Sequence, residues 1–307
     1  MEGVNLMSQP AGGAVQGAAA ARSGLSASRK AYDRGLRALV WLCAGLTCAL
    51  LLFLIGYIFY RGVPNLSWEF LTTQESLLKG TMGILPAICN TLYVIGVTLV
   101  IALPLGVGAA VYLTEYATNY RLVAGIEFAT ETLSGIPSIL YALVGYLAFS
   151  KTLGLGYSLL AASLTLAMMN LPTIIRTTQE SLKTVPQGYR EGALGLGSGK
   201  WHMIRTIVLP GSIDGIVTGC ILAVGRIVGE SAVLLYVGGM DSTMNSFFAS
   251  WDKFAHSSGA TLTVQLYVFA KERAMMDPAF AVAVVLLGLT FLINLCAKLA
   301  GKKLRQK

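Results

Sequence analysis

The chain has 307 residues, of which 55% are hydrophobic and only 12% are charged. Soluble domains carry about 25% charged residues, so this composition excludes a water-soluble globule of this size and a disordered regulator. In a chain this apolar, the formal net charge of +8 indicates basic residues at the cytoplasmic side of a membrane rather than nucleic-acid binding, and we expect no nucleic-acid partner.

The N-terminal residues 1–38 are predicted to form a disordered, basic cytoplasmic tail. Residues 1–28 consist largely of Ala, Gly, Ser and Gln, which bury too little apolar surface to offset the entropy lost on ordering. Four basic residues precede the first apolar run: Arg29, Lys30, Arg34 and Arg37. Residues 300–307 are predicted to form a second basic cytoplasmic tail.

Six apolar runs lie between the tails, and about 20 apolar residues are enough to cross a bilayer. Backbone polar groups in lipid must be satisfied internally, so runs of this length predict helices rather than barrel strands. The fold class is therefore predicted to be an all-α membrane protein with six transmembrane helices within residues 39–299. The predicted spans are about 39–60, 86–113, 126–149, 157–175, 213–237 and 279–297.

The distribution of basic residues predicts the orientation. With the N-terminus in the cytoplasm, sixteen of the 23 Lys and Arg residues fall in cytoplasmic segments, six fall on the other side and Arg226 falls within a span. Because cytoplasmic loops carry the excess of Lys and Arg, both termini are predicted to be cytoplasmic. This topology leaves a long inside loop, 177–212, and a long outside loop, 238–278.

The inside loop, 177–212, carries the most specific pattern in the chain. It resembles the E-A-A-x3-G-x9-I-x-L-P loop of the permeases of ATP-binding cassette (ABC) importers, with Gly in place of the second-position Ala. The matching positions are Glu191, Gly192, Ala193, Gly197, Ile207, Leu209 and Pro210. The resemblance implies a type I ABC-importer permease, in which this loop forms a short coupling helix that docks on a cytoplasmic ATPase.

Other segments resemble phosphate-specific ABC permeases, in particular the PstA-type subunit, and this likeness covers residues 39–300. The segments are Tyr112–Tyr116, Leu133–Tyr141, Leu171–Glu180, Gly225–Ser231 and Thr261–Tyr267. The resemblance implies import of inorganic phosphate across the bacterial cytoplasmic membrane. It also implies a PstC-type permease partner, an ATPase dimer that holds ATP and Mg, and an extracytoplasmic phosphate-binding protein.

Two charged residues, Arg226 and Glu230, lie in the fifth predicted span. Their spacing of four places them on one helix face, where pairing would offset the cost of charge in a bilayer. The planar guanidinium also suits the oxygens of phosphate. We predict that Arg226, Glu230 and Arg176, at the end of the fourth span, line the substrate path. The alternatives are a structural ion pair for the first two and an interfacial position for Arg176.

Small residues recur every four positions at the start of the same span. They are Gly211, Gly215, Gly219 and Ala223. This pattern permits close approach of two helix backbones and predicts helix packing rather than a binding site.

We predict no catalytic residue, cofactor or metal on this chain. Gly195–Lys200 looks like part of a phosphate-binding loop, but it lacks the first Gly and the following Ser or Thr of that pattern. ATP hydrolysis is therefore expected on a separate subunit, and His202 and His256 are isolated from other metal ligands. The alternative functions are an ABC permease for another oxyanion, such as sulfate or molybdate, an ion-driven secondary transporter, and a membrane scaffold.

Overall fold

The computed structural model describes residues 27–76, 81–245, 247 and 249–305. Most of the predicted N-terminal tail, residues 1–26, and the last two residues of the C-terminal tail lie outside this part. The chain divides into two compact units, residues 1–57 and 58–307.

The described part of the first unit belongs to one long helix, α1, which spans Ala27–Gly62. Residues 27–38 are helical, so the prediction of disorder is wrong for them. They contain no Pro and lead directly into an apolar helix, and extending a formed helix costs far less than nucleating one. The side chains of residues 32–57 are exposed, and their apolar character suits a helix surrounded by lipid or another subunit.

The second unit contains a two-stranded antiparallel hairpin, β1 (Gln74–Ser76) and β2 (Thr81–Ile84), and a set of helices. The helices are α2 (Trp68–Thr72), α3 (Leu85–Val111), α4 (Tyr120–Ser134), α5 (Ser138–Gly145), α6 (Leu159–Thr184), α7 (Gln187–Gly195), α8 (Lys200–Met203), α9 (Leu209–Gly211), α10 (Ile213–Gly229), α11 (Trp251–His256), α12 (Leu262–Tyr267) and α13 (Met276–Arg305). Some helices continue into π-helical turns, which are Tyr112–Tyr116 after α3, Tyr146–Thr152 after α5, Ile204–Val208 after α8 and Val268–Glu272 after α12; a further turn is Leu234–Gly238.

Within the described residues, four helices are long and apolar enough to cross a membrane. They are Tyr32–Asn65, Leu85–Tyr116, Leu159–Thr184 and Met276–Lys303. Two bent helix pairs meet the same criterion only if each pair counts as one span: Tyr120–Ser134 with Ser138–Thr152, and Lys200–Gly211 with Ile213–Gly229. The described chain therefore contains between four and six candidate spans.

The predicted span 126–149 is not one continuous helix. α4 ends at Ser134, α5 begins at Ser138, and the two segments differ in direction by 101°. Pro137 has no backbone N–H and disfavours a helical conformation at the preceding residue, so the helix stops here. The Leu133 carbonyl accepts from the Ile136 N–H at 3.2 Å and from the Tyr141 hydroxyl at 2.9 Å, so the two sides of the break are joined by hydrogen bonds.

The predicted span 213–237 is also interrupted. α10 ends at Gly229, and Glu230 has an extended backbone conformation. The Glu230 carboxylate accepts hydrogen bonds from the backbone N–H groups of Ala232 at 2.9 Å and Val233 at 3.3 Å. These bonds resemble those of a helix N-cap. The prediction that Arg226 and Glu230 share one helix face is therefore wrong, because the helix ends between them.

The centre of the second unit is formed by α3, α6 and α10, which pack side by side. Leu166 and Met169 of α6 lie in one buried cluster with Val94 of α3 and Ile227 of α10. α10 approaches α6 through the small residues that the sequence singled out. A Cβ atom at Gly215 would overlap with Ser181, and one at Gly219 would overlap with Thr177. The predicted close packing is confirmed within this chain.

Residues 238–278, predicted to be an outside loop, are mostly folded into the unit. They contain α11 and α12, and Leu262 and Val264 of α12 are buried. The Asn90 amide of α3 donates to the Ala260 carbonyl at 2.9 Å, and the Asn245 amide donates to the Ser258 carbonyl at 2.9 Å. Polar side chains thus hold this segment against α3. Residues 246 and 248 of this segment lie outside the described residues.

We predict that Gly215→Ala destabilises the protein by about 1–3 kcal/mol, because the added methyl group overpacks the α6–α10 contact. Gly225→Ala is the matched control on the same helix, since no atom lies within 4 Å of its added Cβ. It should be neutral or slightly stabilising. Thermal unfolding of the purified variants in detergent measures both. Equal unfolding temperatures for the two variants would contradict the close packing.

Candidate functional site

The predicted inside loop, 177–212, begins within α6, which continues to Thr184. The rest of the segment packs on the ends of α3 and α6. Pro186 precedes α7, and the chain then passes through α8 and α9 into α10. Its apolar side chains form one buried cluster with the two longer helices: Ala110, Val111, Leu182, Val185, Ala193, Met203, Ile204 and Val208. The loop is therefore a fixed part of the second unit.

The pattern residues of α7 divide between this cluster and the surface. Ala193 is buried in the cluster, whereas Glu191 and Gly192 are exposed. No atom lies within 4 Å of a Cβ built at Gly192. Four large apolar side chains are exposed beside them, with Leu196 91% exposed; they are Tyr189, Leu194, Leu196 and Trp201. We call these four residues, together with Glu191, the α7 face. Exposed apolar side chains of this size favour contact with another protein or with a membrane surface.

Gly197 has a backbone role that the sequence pattern does not reveal. It lies just after α7 with φ +82°, in the left-handed region that favours glycine. Its N–H donates to the Leu194 carbonyl at 3.0 Å, and the Ser198 N–H donates to the Ala193 carbonyl at 3.1 Å. These two bonds form a Schellman motif, a common C-terminal helix cap. Gly197 therefore determines where α7 ends.

The last three pattern residues connect the loop to α10. Ile207 and Leu209 are partly buried against the cluster, and Pro210 is exposed at the start of the short helix α9. The chain bends by 65° between the Lys200–Gly211 segment and α10. These residues set the point at which the loop turns into the apolar helix.

The sequence did not predict the buried ion pair between Arg190 of α7 and Glu115 of the π-helical turn after α3. Arg190 Nε and Nη2 donate to Glu115 Oε1 at 3.1 and 3.0 Å. The two side chains are only 11% and 6% exposed. The residues lie 75 positions apart. Glu115 belongs to the resembling segment Tyr112–Tyr116 and Arg190 directly precedes the loop pattern, but neither signal indicates that the two residues pair.

Arg176 lies in a polar cleft between α4 and α6 with a volume of about 430 Å³. Its guanidinium is 3.1 Å from the Glu180 carboxylate and 3.8 Å from that of Glu131. Lys183 in the same cleft is 3.6 Å from Glu127. Arg176 and Glu131 are 64% and 73% exposed. Exposed pairs of this kind are weak, worth about 0–1 kcal/mol, so the guanidinium can exchange its partners readily.

Arg226 and Glu230 are not paired. Among the described residues no ion pair contains Arg226, and its side chain is half-buried within electrostatic range of Tyr141. Glu230 instead binds the backbone of the next turn. The structure brings neither residue into the cleft of Arg176. The three residues predicted for one substrate path therefore lie in separate local environments of this chain.

Apolar helices of this length define a multi-pass membrane protein. Residues 102–306 match the family model described as binding-protein-dependent transport system inner membrane component. The chain belongs to this family of ABC-importer permeases, which are generally transport subunits rather than enzymes.

Known proteins of similar sequence include permeases with and without an assigned substrate. The chain is 34% identical over 291 residues to the probable ABC transporter permease protein YqgI of Bacillus subtilis, covering 91% of this chain and 98% of the relative. It is 36% identical over 217 residues to the phosphate transport system permease protein PstA 1 of Mycobacterium tuberculosis, covering 70% of this chain and 69% of the relative.

A solved bacterial ABC transporter that imports the acidic polysaccharide alginate has a similar fold. The TM-score is 0.63 at 16% identity, and the match covers 90% of this chain and 99% of the solved chain. At this level of identity the similarity shows the fold alone.

We predict that Gly197→Ala destabilises the α7 cap by about 1–2 kcal/mol, because a Cβ atom is unfavourable at this positive φ. Gly197→Asn should be tolerated better, since Asn adopts the left-handed conformation more readily. Limited proteolysis of the 196–199 segment and thermal unfolding measure the effect. If only the small size of Gly197 matters, Gly197→Asn will destabilise the protein more than Gly197→Ala does. That result would contradict the explanation from the positive φ.

Proposed function

We propose that this chain is the PstA-type permease subunit of an ABC importer for inorganic phosphate. The observation that carries this proposal is the 36% identity over 217 residues to a phosphate transport system permease, together with the phosphate-permease motifs of the sequence. An arginine in a polar cleft, Arg176, supplies a suitable anion ligand. A permease for another oxyanion is the second candidate, because the probable permease YqgI carries no substrate in its name.

In this proposal the subunit has six spans and both termini in the cytoplasm, and each bent helix pair counts as one span. It pairs with a PstC-type permease and receives phosphate from an extracytoplasmic phosphate-binding protein. The α7 face docks on one subunit of an ATPase dimer, which holds ATP and Mg. The exposed apolar side chains of that face support docking, and Glu191 offers a carboxylate to a basic residue of the ATPase.

The cleft around Arg176 gives a physical route for releasing the anion. Phosphate can displace the Glu131 and Glu180 carboxylates from the guanidinium, because both pairs are exposed and therefore weak. The same carboxylates rebind the guanidinium as phosphate leaves, so the anion is not held too tightly. Arg226 provides a second positive charge, half-buried on α10 and without a carboxylate partner among the described residues.

The transport assay uses the four-component complex in proteoliposomes, with ATP-dependent uptake of labelled phosphate as the readout. We expect saturable phosphate uptake that excess sulfate and molybdate do not reduce. Uptake of sulfate or molybdate in preference to phosphate would favour the second candidate. Uptake driven by an ion gradient without ATP would contradict both.

We predict that Arg176→Gln reduces phosphate uptake by at least about tenfold, the effect of losing one charged hydrogen bond of about 1.5–3 kcal/mol. Arg121→Gln is the control, because it removes one exposed positive charge outside the cleft. Uptake is measured per assembled complex. Equal uptake by the two variants would show that Arg176 does not lie on the substrate path.

The proposed orientation predicts which positions react with an impermeant thiol reagent. All five native cysteines are first replaced, because Cys43, Cys48 and Cys296 are exposed. In that background, Lys253→Cys should be labelled from outside intact cells and Gln187→Cys should be labelled only after the cells are opened. Both positions are exposed, so access decides the result. The reverse pattern would contradict the orientation and the docking of α7.

A further inference from the structure

The Arg190–Glu115 pair differs from the surface ion pairs of this chain. In the Arg37–Asp33 and Arg176–Glu180 pairs both side chains are more than half exposed, whereas both members of the Arg190–Glu115 pair are almost fully buried. Burying two charges requires good geometry and additional hydrogen bonds. The surroundings of Arg190 supply those bonds.

The guanidinium of Arg190 binds two other parts of the second unit at once. Besides Glu115, it donates to the Leu182 carbonyl at 2.8 Å through Nη2 and to the Val185 carbonyl at 2.5 Å through Nη1. These carbonyls belong to the end of α6, where backbone acceptors lack partners within the helix. One side chain of α7 therefore joins α7 to the turn after α3 and to the end of α6.

A second contact from the same loop reaches the same turn. The Lys200 ammonium at the start of α8 lies 5.1 Å from the centre of the Tyr116 ring, within the range of a cation–π interaction. Glu115 and Tyr116 both belong to the π-helical turn Tyr112–Tyr116. Such turns are less regular than an α-helix and are frequent at functional sites. The two ends of the α7–α8 region thus both contact the end of α3.

Arg190 lies in the first half of α7 and is bound both to the turn after α3 and to the end of α6. Ala193, in the second half of α7, packs in the same buried cluster as Ala110 of α3 and Leu182 of α6. A displacement of α7 therefore acts directly on α3 and α6 through these contacts, and Arg190 supplies the polar ones.

We propose that Arg190 and Glu115 are positioning residues that transmit movement of α7 to α3 and α6 during transport. This inference rests on the proposed docking of α7 on the ATPase. Arg190 does not contact the transported anion in this role. It makes the end of α3, through the Tyr112–Tyr116 turn, move together with α7, so that ATP-driven closure of the ATPase reaches the helices that line the substrate path.

The test compares phosphate imported per ATP hydrolysed in proteoliposomes that contain the full complex. Glu115→Gln keeps the size and one acceptor of the side chain but removes its charge. We expect this variant to retain the ATPase and its basal hydrolysis, while phosphate imported per ATP falls about tenfold, a change within the usual range for residues that couple two sites. Arg190→Lys should fall between Glu115→Gln and the wild type, because Lys keeps the charge but loses the planar fork.

Arg205→Lys is the matched control, because Arg205 is an exposed cation of the same loop and makes no ion pair among the described residues. It should leave phosphate imported per ATP unchanged. A normal ratio in Glu115→Gln, measured per assembled complex, would overturn the inference.

A second variant separates transmission from folding. Glu115→Cys with Arg190→Cys, in the cysteine-free background, is joined after assembly with a bis-methanethiosulfonate reagent, which forms a disulfide to each cysteine and releases two sulfinate groups. We expect low import per ATP before joining, recovery after it, and loss again on reduction. Absence of recovery in assembled complex would overturn the inference.

The wild type distinguishes failure of this inference from failure of the proposed function. If the wild-type chain retains no ATPase, the proposed docking is wrong and the inference fails with it. If the wild type imports another oxyanion, the ratio of that oxyanion imported per ATP hydrolysed decides the question.

Discussion

Backbone hydrogen bonding limits where this chain can interrupt an apolar helix, because a buried polar group without a partner costs about 2–7 kcal/mol in an apolar medium. Both interrupted spans have side chains bound to the backbone beside the break. The Tyr141 hydroxyl binds Leu133 at the end of α4, and Glu230 caps the turn after α10. The Thr263 hydroxyl also donates to the Val228 carbonyl at 2.5 Å, which joins the end of α10 to α12.

The same constraint explains how much of the fold could be predicted. The apolar runs located α3, α6 and α13, but α6 continues to Thr184 and α13 to Arg305, beyond the predicted ends at 175 and 297. The breaks could not be located from Pro and Gly alone. Pro104 and Pro172 lie inside α3 and α6 without ending them, whereas the chain turns by 101° next to Pro137. The presence of Pro alone therefore does not distinguish a continuous helix from a broken one.

The candidate site was predictable where its residues are close in sequence. The spacing from Glu191 to Pro210 identified the loop and its resemblance to a coupling helix. The spacing did not show whether a small residue is needed for close contact with a partner or for a positive φ, as at Gly197. The four-residue spacing of Arg226 and Glu230 also gave a wrong prediction, because it assumes that the helix continues past Gly229. The Arg190–Glu115 pair joins segments far apart in the chain, so only the tertiary structure brings it together.

The α7 face has a consequence for the life of the subunit before assembly. Tyr189, Leu194, Leu196 and Trp201 are exposed in the isolated chain, and a patch of this kind favours aggregation and recognition by chaperones. With the proposed orientation, a newly inserted copy without its ATPase presents this patch to the cytoplasm and to the proteases that remove unassembled membrane subunits. The supply of ATPase would then set how long each copy survives, and the cell would keep the two subunits in proportion without regulating their synthesis separately.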